Sequence, residues 1–257
     1  MAALTDVVTY LDSELRTAEI GDHATALNGL QFANSGTVTH IAAAVDFSTA
    51  AIRVAAARGA NCLLVHHGMF WGGLASLTGY RHERVRLLVE RDIAVYSSHL
   101  PLDLHPSFGN NALLAKRLGL TATGGFANYG RFDIGLRGEC DMSTDRLVAA
   151  MRDLAAEYEG RVVTTPIEPG RRTRRWGICS GAGATGETIH EAIEYGLDTL
   201  LVGEGPHHSA VLARDANIAV VYGGHYATET LGVRAIAAAV GERFGISVSF
   251  VHAPTGL

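Results

Sequence analysis

Two stretches of this chain can be laid over one another, and that internal repeat constrains the fold more than any other feature. In the first half, GANCLLVHHG runs from Gly59 and IAVYSSHLPLD from Ile93; in the second, GLDTLLVGEG runs from Gly196 and IAVVYGGHYATE from Ile218. Each copy has a helix-stopping Gly, an apolar Leu-Leu-Val strand ending in polar residues, and an Ile-Ala-Val strand followed by His-x-x-x-acid. Both matches in the same order predict two similar α/β halves facing each other. Uniformly apolar strands set between helices point to mostly parallel sheets flanked by helices. The expected division places residues 1–125 plus 223–257 in one half and 126–222 in the other.

The elements around the repeat follow from spacing and punctuation. Apolar residues at helical intervals predict a helix from Leu4 to Glu19, and Ile41 to Val45 reads as a strand. Ser48 or Thr49 caps a helix that Gly59 stops. A helix is expected over His82 to Glu90, another from the Ser143 cap to about Tyr158, and a third over Glu187 to Tyr195. Further strands are expected at Trp176 to Cys179, Thr199 to Val202 and Ile218 to Val221. Thr164 to Arg175, TTPIEPGRRTRR, reads as a loop or exposed edge, with an anion or nucleic-acid contact as the functional alternative. The Gly-rich GICSGAGATGE, Gly177 to Glu187, reads as a tight turn or a phosphate cradle at a helix N-terminus; it lacks the P-loop Lys-Ser/Thr.

Composition narrows the function classes. The 257 residues are 47% hydrophobic and 18% charged, enough apolar content for a buried core. A formal net charge of -5 argues against a duplex-DNA groove binder, whose domains carry a basic face, although a local patch is compatible with it. The start, MAALTDVVTYLDSE, lacks a basic, apolar signal, and no apolar run is long enough to span a bilayer. Cys62, Cys140 and Cys179 show no CxxC spacing and read as buried thiols in a reducing compartment. The expectation is a cytoplasmic protein without membrane contact.

The histidines carry the chemistry. His66 and His67 stand where the first Leu-Leu-Val strand runs out, at the sheet edge where ligands gather in parallel α/β folds. A His pair alone is equally compatible with one packed and one solvated imidazole. His99 and Asp103 follow the next strand; Pro101 disfavours a helix there, so HLPLD is expected to be a loop. His225 and Glu229, after the equivalent strand of the second half, share one face if a helix begins there. This mixed nitrogen and oxygen set suits Zn, Fe or Mn. Five ligands exceed one open catalytic site and fit two divalent ions roughly 3.5–4 Å apart. His99, Glu204 and His208 are candidates for acid/base work or for orienting the ligands. His82, His105, His190 and His252 have no partner pattern and read as surface or packing residues.

VHHGMFW, HLPLD followed by GNNALLAKRLGL, VGEGPHH and GGHYATE resemble, in order, the signature blocks of the Nif-three-like dinuclear metal-centre family. Its members are often described as type 2 homologues of GTP cyclohydrolase I. ALNGLQF is similar to the family's N-terminal segment, with Ala26 and Leu27 where polar residues are usual. The resemblance implies two metals per chain: His67 and Asp103 on one, His66 and His225 on the other, Glu229 bridging both. It also implies a metal site in the cleft between two α/β domains and a ring-shaped homohexamer. The function expected is metal-dependent hydrolysis of a nucleotide-like or phosphoester small molecule. The alternative is a non-catalytic metal-dependent binding, metal-handling or regulatory protein.

Overall fold

The apolar runs of the repeat become the innermost strands of two sheets. The structure, a computed structural model, describes residues 1–256. In chain order it forms β1 (Ala2–Ala3), α1 (Leu4–Glu14), β2 (Gly29–Phe32), β3 (Thr37–Val38), β4 (His40–Asp46), α2 (Thr49–Ala57), β5 (Cys62–His67), α3 (Tyr80–Glu90), β6 (Ala94–Ser97) and α4 (Leu100–Asp103). There follow α5 (Asn110–Arg117), β7 (Ala122–Tyr129), β8 (Phe132–Ser143), α6 (Thr144–Ala156), β9 (Val163–Thr164), β10 (Arg172–Cys179), α7 (Gly186–Glu194), β11 (Thr199–Val202), α8 (His207–Asp215), β12 (Ala219–Tyr222), α9 (His225–Phe244) and β13 (Ser247–Phe250). One unit comprises Met1–Phe108 and Gly232–Ala253; the other comprises Gly109–Leu231 and the last residues from Pro254.

The first unit is built on the sheet β13-β4-β5-β6-β2. Strands β13, β4, β5 and β6 pair in parallel, and β2 closes one edge antiparallel. Every residue of β5 and β6 is buried, as expected of strands covered on both faces. Ala42, Ile52, Leu63, Leu88 and Val95 belong to one cluster, which joins the sheet to α2 and α3. The α2 start is fixed by Ser48, whose hydroxyl accepts from Ala51 N at 3.0 Å.

The second unit is built on β7-β8-β10-β11-β12-β9. Here β10, β11 and β12 are parallel, while the β7–β8 hairpin and β9 add antiparallel edges. Trp176 is fully buried against Gly138 of β8, where an added Cβ would come within 2.6 Å of the indole. Among the described residues, no helix is long and apolar enough to cross a membrane.

Three sequence expectations are corrected. The first helix stops at Glu14, not Glu19: Arg16 takes a left-handed φ of 53°, and Thr17 N turns back to Asp12 O. HLPLD is not a loop but the single turn α4, with Pro101 in its first turn, where no backbone N–H is needed. Arg172 to Arg175 lie in β10 rather than in a loop, with Thr173 buried between exposed Arg172 and Arg174 in strand alternation. Arg172 is held by Asp141, and Arg171 binds Asn217 and the Asp198 carbonyl.

Candidate metal centre

In the first unit three histidines converge at the carboxyl ends of β5 and β6. One ring nitrogen from each of His66, His67 and His99 lies within 4.8 Å of the others, a group that could hold a metal ion. All three are buried, His66 completely. Each ring is fixed through Nδ1: His66 donates to Ser98 O at 2.9 Å, His67 to Asp46 Oδ1 at 2.8 Å, and His99 to Asp22 Oδ1 at 2.8 Å. The strand register explains the second of these bonds. Asp46 ends β4 directly beside His67 in the parallel pair β4–β5, so both side chains leave the same face.

Asp103 joins this group because α4 turns immediately after His99. Its backbone N–H donates to His99 O at 3.1 Å, and its Oδ2 lies 3.5 Å from His66 Nε2. The N-terminal segment supports the wall. Asn28 accepts from His99 N at 2.7 Å and donates to Asp22 at 2.8 Å, while Leu100 N also donates to Asp22 at 2.9 Å. Gln31 accepts from Met69 N at 2.7 Å and packs against Gly68, where a Cβ would collide with its amide at 2.2 Å. Trp71 closes the group, its ring 4.8 Å from His67 and 4.5 Å from His99.

The electrostatics follow from this burial. Burial lowers the His99 pKa more than the Asp22 hydrogen bond raises it, and His66 adds to the lowering. Burial alone would raise Asp22, but hydrogen bonds from His99, Asn28 and Leu100 together hold it below the usual carboxylate range.

The second unit carries His225 and Glu229 at the start of α9. One turn apart, they meet at 3.1 Å between Nε2 and Oε2, and Glu204 accepts from His225 Nδ1 at 2.7 Å. Burial opposes protonation of His225, yet Glu229 and then Glu204 outweigh it and push its pKa up to about 9. The Gly-rich segment after β10 forms the wall behind them. Gly181 N donates to Thr228 Oγ1 at 3.0 Å, and Gly181 O accepts from Glu204 N at 2.7 Å. That segment therefore packs its backbone against a carboxylate. His208 is exposed on α8 and bonds to none of these residues.

Sequence reading missed Asp22, His23, Asp46 and Trp71. Asp46 had a signal, an acid closing the strand IAAAVD one position beyond its apolar run. Asp22 had none, since it sits in an irregular segment without periodicity. Asp22, His23 and His99 form a further group with metal-ligand spacing.

The donor set suits a borderline divalent cation. It offers imidazole nitrogens and carboxylate oxygens without thiolate, and each of the four fixed rings presents Nε2 because Nδ1 is already engaged.

Known proteins agree with the fold. A relative from Deinococcus radiodurans named GTP cyclohydrolase 1 type 2 homolog is 38% identical over 252 residues, covering 98% of this chain and 94% of its own. One of the same name from Halobacterium salinarum is 39% identical, covering 99% of both chains. Among solved structures, protein ybgI, of unknown function, superposes with a TM-score of 0.88 at 30% identity over the whole of both chains. Reduced HcgD from Methanocaldococcus jannaschii shares the fold, with a TM-score of 0.80 at 21% identity and 97% of both chains covered. Residues 2–255 match the model of Duf34/NIF3 (NGG1p interacting factor 3), and the chain belongs to that family.

Proposed function

We propose that this protein is a dinuclear metal-dependent hydrolase of a nucleotide-like or phosphoester substrate, with His66, His67, Asp103, His225 and Glu229 as its metal ligands. The observation that carries the reading is the fixing of His66, His67 and His225 through Nδ1, by a backbone carbonyl, Asp46 and Glu204 respectively. Outer partners of this kind set tautomer and ring orientation and raise the basicity of the metal-facing nitrogen. When bound, paired divalent ions polarise a substrate oxygen and acidify a water.

The chain's own residues supply the rest. His99, held by Asp22 within the same histidine group, takes the proton-transfer role, and Glu204 keeps His225 in place. Trp71 covers the His67 and His99 rings and keeps bulk water from them. His208, exposed on α8, is given no role. The names carried by the bacterial and archaeal relatives make a purine nucleotide the first substrate to try, although a fold alone does not fix a substrate.

The test is elemental analysis of wild type and Glu229→Ala purified without chelator, followed by assays with GTP and a chromogenic phosphate ester. The expected result is about two ions per chain, a sharp fall in the variant, and turnover that follows metal content. One ion or none in the wild type, even after Zn, Fe or Mn is added, would overturn the two-metal reading. Ions held without turnover but surrendered to a competing apo-protein would favour metal handling instead.

A further inference from the structure

Beside His67 the first unit holds a half-open cleft of about 160 Å³ whose wall includes Trp71, Tyr80, Arg81 and Arg84. We infer that Arg81 and Arg84 form an anion pocket at the edge of the histidine cluster, and that it receives the phosphoryl group of a phosphorylated substrate. The substrate half of this inference rests on the metal-site reading above; the anion pocket does not.

Charge balance is the first support. Both arginines are half-buried, yet among the described residues neither pairs with a carboxylate. The one acid in the first turn of α3, Glu83, reaches Arg53 instead. Arg84 is steadied by Thr49 Oγ1 at 3.3 Å and lies 5.4 Å from the Phe47 ring centroid and 4.9 Å from that of Tyr80. Arg81 lies 4.8 Å from the Tyr80 centroid. These contacts orient the guanidiniums without neutralising them. Burial depresses the Arg84 pKa; Tyr80 opposes that, and the charge of Arg81 adds to it. The one carboxylate in the cavity wall, Asp46, is engaged on His67 Nδ1.

Helix electrostatics add to the imbalance. Arg81 and Arg84 sit in the opening turns of α3, where the positive end of the helix dipole disfavours cations. An anion in the cavity would relieve both the mutual repulsion and this placement. Paired guanidiniums match the oxygens of a phosphoryl group better than lysines would.

Size sets the ligand class. At about 160 Å³ the cleft falls below the roughly 300–1,000 Å³ of a pocket that holds a whole small molecule, so it suits a phosphoryl group rather than a nucleotide. The remainder of the substrate must lie outside. Half-exposed Tyr80 and Trp71 at the mouth offer flat apolar faces for a ring to stack on. Trp71 also touches His67 and His99, so a ring stacked there lies next to the histidine cluster.

The probe is inorganic phosphate, titrated calorimetrically into the full chain, both as purified and after chelator treatment, with metal content measured on every sample. One phosphate per chain is expected in both forms, weakened about tenfold or more by Arg81→Gln with Arg84→Gln, because two charge-assisted hydrogen-bond donors are lost. Arg86→Gln, which breaks an exposed pair with Glu90 on the same helix, should bind as wild type. The double variant should keep its metal content. If it fails to fold, Arg81→Gln alone, which leaves Arg84 and its contacts with Thr49 and Phe47 in place, decides the matter. No phosphate binding in either form, or binding that vanishes with the metal and ignores the arginines, would overturn the pocket. Phosphate binding that needs both arginines in a chain that holds no metal would keep the pocket and remove the metal reading.

Discussion

Gly181→Ala tests how tightly Glu229 is held, and its cost can be worked out in two parts. Gly181 has φ of 60°, a left-handed conformation that costs an L-residue roughly 1–2 kcal/mol. An added Cβ would also lie 2.0 Å from Glu229 Oε1 and 3.2 Å from His225 Nε2. The loop cannot easily retreat, because Gly181 N and O are both bonded, to Thr228 and Glu204. Relief must come from the Glu229 side chain or from strain, and such overpacking costs about 1–3 kcal/mol. Gly130→Ala is the matched control, with φ of 63° and open space around the new methyl group. At about 2–4 °C per kcal/mol for a chain of this size, the control should melt roughly 2–8 °C below wild type. Gly181→Ala should melt a further 2–12 °C lower, at the same rate of about 2–4 °C per kcal/mol, or else hold its melting point by releasing Glu229 and losing metal. Thermal unfolding followed by circular dichroism, with metal per chain on the same samples, reads both. If Gly181→Ala melts with Gly130→Ala and binds metal like wild type, then Glu229 is not confined as described.

Two further outcomes follow from the outer partners and from the turn after α4. Asp46→Ala should weaken metal binding about 10- to 100-fold, since His67 loses the acceptor that orients it. Its melting point should barely move, because the Asp46 side chain is 36% exposed; an unchanged metal affinity would refute the orienting role. His105 Nδ1 accepts from Ser107 N at 3.1 Å and Phe108 N at 2.9 Å, so that nitrogen must be unprotonated. Burial lowers its pKa further than Glu14 raises it. A histidine depressed in the folded state contributes stability that is fully present above its unfolded value of about 6.5 and is lost as pH falls through the folded value. An NMR titration of the His105 ring should give a midpoint below that value; one above it would contradict the turn geometry.

The parts of the fold that repetition and burial determine were legible. Strands buried on both faces, such as Cys62–His67 and Thr199–Val202, show as continuous apolar runs, and their order predicts the parallel cores. The β7–β8 hairpin was not legible. Its Gly124, Gly125, Gly135 and Gly138 depress strand propensity, and they are tolerated because neighbouring side chains and backbone fill the space that Cβ atoms would take. Charge likewise hid the first half of β10, whose exposed Arg172 and Arg174 read as a loop until Thr173 is seen buried between them; its apolar half, Trp176 to Cys179, was legible as a strand. At the site, ligand-type residues announce themselves by strand-end position. Their partners do not, because Asp46 reaches His67 by sheet register and Asp22 reaches His99 across 77 positions of sequence.

The repeat places equivalent residues in the two units and then gives them different chemistry. His99 and His225 each follow the third strand of their copy, and each begins a helix whose acid lies one turn on. In the second unit that acid, Glu229, meets its own helix partner, His225, at 3.1 Å. In the first, Asp103 instead faces His66, at 3.5 Å, because the preceding strand end carries the histidine pair. Where the first copy has His66 and His67, the second has Gly203 and Glu204, and Glu204 serves as the acceptor on His225 Nδ1. Counted with the carboxylates that fix their rings, the first unit offers three imidazoles and three carboxylates, Asp22, Asp46 and Asp103, and the second offers one imidazole and two carboxylates, Glu204 and Glu229. A symmetric repeat would offer two identical sets of donors. This one offers unlike sets, because the strand end that carries His66 and His67 in the first copy carries Gly203 and Glu204 in the second.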